Sequence, residues 1–296
     1  MRRPTRRVGL AIAVLIAIVA AAAAWWFDAR TKPDAVAKRV AATIVAQHTG
    51  ASATSLRGDL LRITMPSGLY IDARLAPALA ACRDDRFDCS NAIDGVVADV
   101  AHVESMLAKP KVNDLPVDLR SNLRAMVIGE TSPGFRFGYV TEPLIGPLEV
   151  RYALVSGAAS TFVTSALADR LGANRAQLRQ AALANLAADG EPRAELLPDR
   201  PGVYRVLSKD DAVADLLDAR RMKRLAAIVG STRIYCAVPE RGVLFVARTD
   251  AAGKQALLPL LGRTQSGELR PGDRELLIYD SQAPEAQALS IAEAGQ

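Results

Sequence analysis

The stretch Thr232–Arg248, TRIYCAVPERGVLFVAR, constrains the fold more than any other part of this chain. Two short apolar runs, Ile234–Val238 and Val243–Ala247, flank Pro239-Glu240-Arg241-Gly242. β-Branched and aromatic residues at this density, interrupted by Pro and Gly, predict two adjacent strands with a tight connection. Neither run alternates with polar residues. The strands are therefore expected inside a sheet that is covered on both faces by helices.

Further strands are expected at Leu60–Met65 and Leu69–Leu75, as a hairpin around Pro66-Ser67-Gly68, and at Leu123–Ile128 and Val203–Leu207. Leu148–Val155 has a period of two, with Leu148, Val150, Tyr152 and Leu154 on one face. Helices are expected from Asp34 to about Thr49, from Leu75 to Cys82, over Ser90–Leu107, over Ser165–Leu171, and from Asn174 to about Ala188. Another should run from a cap at Asp210 or Asp211 to Val229, and one more over Asp250–Leu261. Adjacent strands with short turns imply antiparallel pairing, and strict βαβ alternation is missing. The expected class is α+β, with mixed, mainly antiparallel sheets covered by helices.

Val8–Phe27 is an unbroken run of twenty apolar or Gly residues, preceded by Arg2, Arg3, Arg6 and Arg7 and closed by Trp25-Trp26-Phe27. As a helix it is about 30 Å long, the thickness of a bilayer core. The arginines predict an N-terminus inside, with residues 28–296 across the membrane in the periplasm or outside the cell. The competing reading is a signal peptide cleaved within Ala20–Ala24, which would release a soluble exported protein. The expected organisation is a basic cytoplasmic tail (1–7), an anchor (8–27), an N-terminal α+β lobe (34–128), a Gly/Pro-rich connection (129–147), a C-terminal α+β lobe (148–282) and a flexible tail (283–296).

The net charge is +5, and the four arginines at the N-terminus account for most of it, leaving +1 on the remainder. A folded part so close to neutral argues against nucleic acid as a partner.

The order of motifs from Leu148 to Asp280 resembles that of the YtpQ-like family of uncharacterised bacterial proteins. The carrying residues are VRYAL (150–154), FVTSALADRLG (162–172), the helical turn around Asn185, VYRVLSKDD (203–211) and AVPERGVLFVA (237–247). The resemblance implies a fold and lends no catalytic residue. The membrane segment and the loop between Cys82 and Cys89 depart from the family pattern, which is cytosolic.

Cys82 and Cys89 in ACRDDRFDC are expected to form a disulfide in an oxidising compartment, closing a small loop worth roughly 2–3 kcal/mol by the chain-entropy model. A metal site with His48 or His102 is the weaker alternative, because C-x6-C is not a compact zinc spacing. Asp84, Asp85, Asp88 and Asn91 lack EF-hand spacing and read as a solvated loop. Cys236 reads as a buried small hydrophobe, and His48 and His102 as structural. Arg220, Arg221, Lys223 and Arg224 read as the solvent face of a helix, with anionic lipid or a protein partner as the sharper alternative. Phe135, Phe137 and Tyr139 alternate, so they form either a strand laid on the core or an aromatic surface for a partner. No G-x-S-x-G, H-E-x-x-H, P-loop or G-x-G-x-x-G motif is present.

No catalytic, cofactor or metal residue is therefore assigned. The expected function is a membrane-anchored, exported, non-enzymatic binding or accessory module of a bacterial cell envelope, acting on an envelope protein. The alternative is a hydrolase whose site is assembled from distant residues.

Overall fold

A computed structural model describes residues 33–55, 59–84, 89–108, 117–129, 138–208, 211–240, 242–261, 276–284 and 287–292. In chain order the elements are α1 (Pro33–Gln47), β1 (Ser52–Ser55), β2 (Leu60–Thr64), β3 (Tyr70–Arg74), α2 (Ala76–Asp84), α3 (Ser90–Leu107), α4 (Val117–Asn122), β4 (Leu123–Gly129), β5 (Thr141–Ile145), β6 (Leu148–Ser156), β7 (Ala159–Phe162), α5 (Ser165–Leu171), α6 (Arg175–Ala188), β8 (Arg193–Leu196), β9 (Val203–Leu207), a 3-10 helix η1 (Ala212–Leu217), α7 (Ala219–Val229), β10 (Arg233–Glu240), β11 (Val243–Arg248), α8 (Ala251–Leu261), β12 (Leu276–Asp280) and β13 (Leu289–Ile291). The paired strands are antiparallel, and helices accompany them, so the class is α+β. The chain divides into two compact units, Met1–Val103 with Ser156–Ser160, and Glu104–Val155 with Thr161–Gln296. The Gly/Pro-rich stretch 129–147 belongs to the second of these. No helix among the described residues is long and apolar enough to cross a membrane; the expected span Val8–Phe27 lies outside them.

In the first unit β2 pairs with β1 and β3, and β3 continues onto Ala159 and Ser160. The hairpin turn is made at Gly68, whose φ of 78° is one that L side chains resist. Alternation puts Leu61, Ile63, Ile71 and Ala73 inside, and Val36, Val40 and Ile44 form the inward stripe of α1. Each fully buried aliphatic side chain here contributes about 1.5–3 kcal/mol. Asp99 of α3 accepts from Ala158 N at 2.8 Å, and a Cβ on Gly157 would meet that carboxylate at 2.2 Å.

The second unit holds a six-stranded sheet in the order β13-β12-β10-β11-β9-β8. The strands expected at Ile234–Val238 and Val243–Ala247 are β10 and β11, and they lie at its centre. Alternation splits their side chains between two cores. Ile234, Cys236, Val238, Leu244 and Val246 face η1 and α7, whose Val213, Leu216, Met222 and Leu225 complete that cluster. Tyr235, Ala237 and Ala247 face the other way and pack with Leu257 and Leu261 of α8. α8 can approach this closely because of Gly253, where a Cβ would stand 2.2 Å from the Arg248 carbonyl oxygen.

Four local expectations change. The single helix expected from Asp211 to Val229 is two elements. Asp211 caps η1 through Val213 N, and Asp218 restarts the chain as the cap of α7. Asp189–Gly202, whose three Pro and two Gly predict a loop, contains β8; two of its four residues are exposed charges and the strand lies at a sheet edge, so it carries no apolar pattern. Ala283–Gln296, read as a frayed tail, contains β13, three residues that gain order by pairing with β12. The connection 129–147 contains β5, which pairs with β6 despite Pro143 because it lies at an edge.

Candidate functional site

The second unit builds a polar arrangement around β6, whose sequence Glu149-Val150-Arg151-Tyr152 sends successive side chains to opposite faces. On one face Glu142 of β5 stands opposite Val150, and Tyr152 is one pleat further along. The fully buried Tyr152 hydroxyl donates to Glu142 Oε1. Arg179, projecting from α6, donates through Nη1 to Glu142 Oε2 at 2.9 Å. Both oxygens of the carboxylate are engaged. Burial above all, and then the adjacent Glu142 carboxylate, raise the Tyr152 pKa well beyond that of an ordinary phenol, so this side chain is a neutral donor. Arg179 leads outward and is 43% exposed.

On the opposite face Arg151 is buried. Its guanidinium carbon lies 5.0 Å from the centroid of the Tyr139 ring and 5.9 Å from that of Phe162, and Nη2 donates to Glu149 at 3.1 Å. The two rings meet each other at 5.4 Å. A desolvated guanidinium over aromatic faces is worth about 2 kcal/mol. Tyr139, expected either on a strand laid on the core or on an aromatic surface, is half-buried and bridges to Thr164. Phe135 and Phe137 lie outside the described residues.

The α6 helix is placed by a capping box, in which Asn174 and Gln177 exchange side-chain bonds with each other's backbone N–H at 2.9 Å. At its other end Asn185 donates to Arg120 O at 2.6 Å and Leu123 O at 2.7 Å, tying α6 to the junction of α4 and β4. Beyond α6, Arg221 turns inward from the basic run, while Arg220, Lys223 and Arg224 stay exposed, Arg224 paired with Glu191 at 2.8 Å. Arg221 Nε donates to Asp215 Oδ1 at 2.6 Å, and Nη1 donates to the carbonyls of Leu186 and Gly190. Asp215 is 0% exposed, and its Oδ2 has no hydrogen-bond partner among the described residues. Burial raises its carboxyl above the ordinary value, the charge on Arg221 pulls it back, and Asp218 and Asp189 add to the rise.

A hollow of about 330 Å³ opens where α7 ends and α8 begins, lined by Gly202, Tyr204, Val229, Arg248, Asp250 and Gly253. Its charged groups have structural duties. Arg248 Nε donates to Val229 O at 3.2 Å, and Asp250 Oδ1 accepts from Gly253 N at 2.7 Å.

Cys82 and Cys89 are joined by a disulfide with Cα atoms 4.8 Å apart. Cys236 is free and fully buried, and burial pushes its thiol far above the usual range. His102 is exposed on α3, and His48 follows the last turn of α1. Among the described residues no group of three or more His, Cys, Asp or Glu could hold a metal ion; Asp85 and Asp88 lie outside them. No family model, curated protein or solved structure matches the chain.

Sequence reasoning missed Glu142, which sits in a stretch dominated by Gly and Pro, and Arg151, which interrupts an apolar strand. The one available signal was the charge at 151, on the face opposite Val150 and Tyr152.

Proposed function

We propose that this chain is a non-enzymatic binding or accessory module of a bacterial cell envelope, exported and held by an N-terminal transmembrane helix at Val8–Phe27. One observation carries the binding reading: in the polar cluster at β6, both oxygens of Glu142 are bonded to Tyr152 and Arg179. Each Glu142 oxygen accepts a bond from within the fold, which ties the carboxylate to holding β5, β6 and α6 together. Its neighbour Tyr152 is held neutral. The cluster sets the surface around β5, β6 and α6, from which Arg179 leads outward as a contact point for an envelope protein. The Cys82–Cys89 disulfide agrees with an oxidising address. The YtpQ-like resemblance over residues 148–280 belongs to the same reading, as a domain of that family carried behind an anchor.

Photo-crosslinking in native membranes tests it, with a reactive amino acid placed in turn at Phe135, Phe137 and Arg179. A discrete protein adduct from at least one position is expected. No adduct from any of the three contradicts the binding reading, and ester or phosphoester turnover lost in Glu142→Gln would replace it with an enzyme.

A further inference from the structure

The disulfide of the first unit sits in surroundings unlike those of a passive staple. Cys82 is 1% exposed, whereas Cys89 is half-buried and reaches solvent. The Cys89 carbonyl accepts from Ile93 N at 3.2 Å, so this residue stands at the N-terminus of the eighteen-residue helix α3. Arg39 of α1 donates through Nη1 to Cys89 Sγ at 3.5 Å. A helix N-terminus and a guanidinium both stabilise a thiolate, and an accessible sulfur in such a place is a reactive one. The other described charges on the neighbouring turns are Lys38, Arg83, Asp84 and Asp94, and all four are exposed. Nothing comparable favours a thiolate at Cys236, which is buried in a strand.

We propose that Cys82–Cys89 is a thiol–disulfide exchange site that oxidises dithiols of a partner protein, with Cys89 as the interchange sulfur. A partner thiol loses its proton to solvent, and its thiolate attacks Cys89 Sγ. The Cys82–Cys89 bond breaks, a mixed disulfide forms on Cys89, and Cys82 leaves as a thiolate that takes a proton from solvent. The partner's second thiol loses its proton and attacks the partner sulfur of the mixed disulfide. Cys89 departs as a thiolate. The partner ends as a disulfide, two electrons have passed to the Cys82–Cys89 pair, and one net proton reaches solvent. Arg39 and the α3 terminus act in the last step, because a stabilised thiolate is the better leaving group, and in the equilibrium, because they favour the reduced pair. This activity replaces the non-enzymatic part of the proposed function and leaves partner binding and the anchor untouched, so the two proposals can fail separately.

The test uses the full chain in detergent. Reduced protein is pulsed with iodoacetamide at pH 6, and the alkylated cysteines are mapped by peptide mass. In parallel the chain is equilibrated with reduced and oxidised glutathione and quenched. Cys89 should be alkylated first, about tenfold faster than Cys89 of the same chain in urea, because Arg39 and the α3 terminus favour its thiolate only in the folded chain. Arg39→Met should slow Cys89 by about three- to tenfold and move the glutathione equilibrium toward the disulfide by a similar factor, with Arg39→Lys retaining most of both. Cys82 reacting first, a native Cys89 rate equal to that in urea, a pair that stays oxidised at every glutathione ratio, or an Arg39→Met variant indistinguishable from the parent would each overturn the proposal.

Discussion

Replacing Arg221 with methionine removes the only charge paired with the fully buried Asp215 among the described residues, and takes the donor from the Leu186 and Gly190 carbonyls. Breaking one side of a buried ion pair costs about 3–5 kcal/mol, because the surviving charge has neither water nor partner. Part of that cost should depend on pH. Burial already holds the Asp215 carboxyl above the ordinary 3.8, and Arg221 is the group that lowers it, so the substitution raises it further. A carboxyl raised on folding contributes its full stability below its unfolded value and loses it as pH climbs through the folded value. The variant should therefore lose about 3–5 kcal/mol at pH 7.5 and less as the pH is lowered toward 5, since protonation of Asp215 relieves the unpaired charge while the orphaned carbonyls remain. Adding Asp215→Leu to Arg221→Met should recover much of the loss at pH 7.5. Tryptophan fluorescence is unsuitable, since both tryptophans, Trp25 and Trp26, lie in the expected span. Pulse proteolysis in urea, read by fragments from residues 161–261, reports the correct unit. A cost below about 1 kcal/mol, or one equal at the two pH values, would refute the reasoning.

Three further substitutions probe the second unit by the same assay. Asn185→Ala removes both bonds that tie α6 to the α4–β4 junction and should cost about 2 kcal/mol; a neutral result would mean that the clamp is idle. Tyr152→Phe leaves Glu142 Oε1 without its buried donor and should cost about 1–3 kcal/mol, and an unchanged midpoint would contradict the network. Gly253→Ala drives a Cβ to within 2.2 Å of the Arg248 carbonyl oxygen and should cost about 1–3 kcal/mol as α8 is pushed from the sheet; a variant as stable as the parent would show that α8 has room to move.

The central part of the second unit was legible because burial on both faces leaves a mark on every residue of a strand, as at Ile234–Val238. The turns at Gly68 and Gly242 were legible too, since each needs a positive φ. The short edge strands were not. β1 and β8 are four residues each, largely exposed, and are held by backbone pairing that any sequence can supply. The break at Asp218 was hidden because an acidic cap reads the same whether it begins a helix or restarts one. The site was harder still. Glu142, Tyr152 and Arg179 are brought together by the β5–β6 register and the placement of α6, neither of which leaves a local pattern. The pairing of Asp215 with Arg221, by contrast, could have been found as an acid and a base six positions apart that both fall on apolar faces.

The central claim concerns where this domain lives, and intact mass of the protein from its native membrane tests it most directly, with and without reduction before thiol alkylation. The account predicts that Met1–Phe27 is retained, that Cys82 and Cys89 alkylate only after reduction, and that Cys236 alkylates only after unfolding. A protein lacking its first two dozen residues, or one whose Cys82 and Cys89 alkylate without reduction, would contradict it.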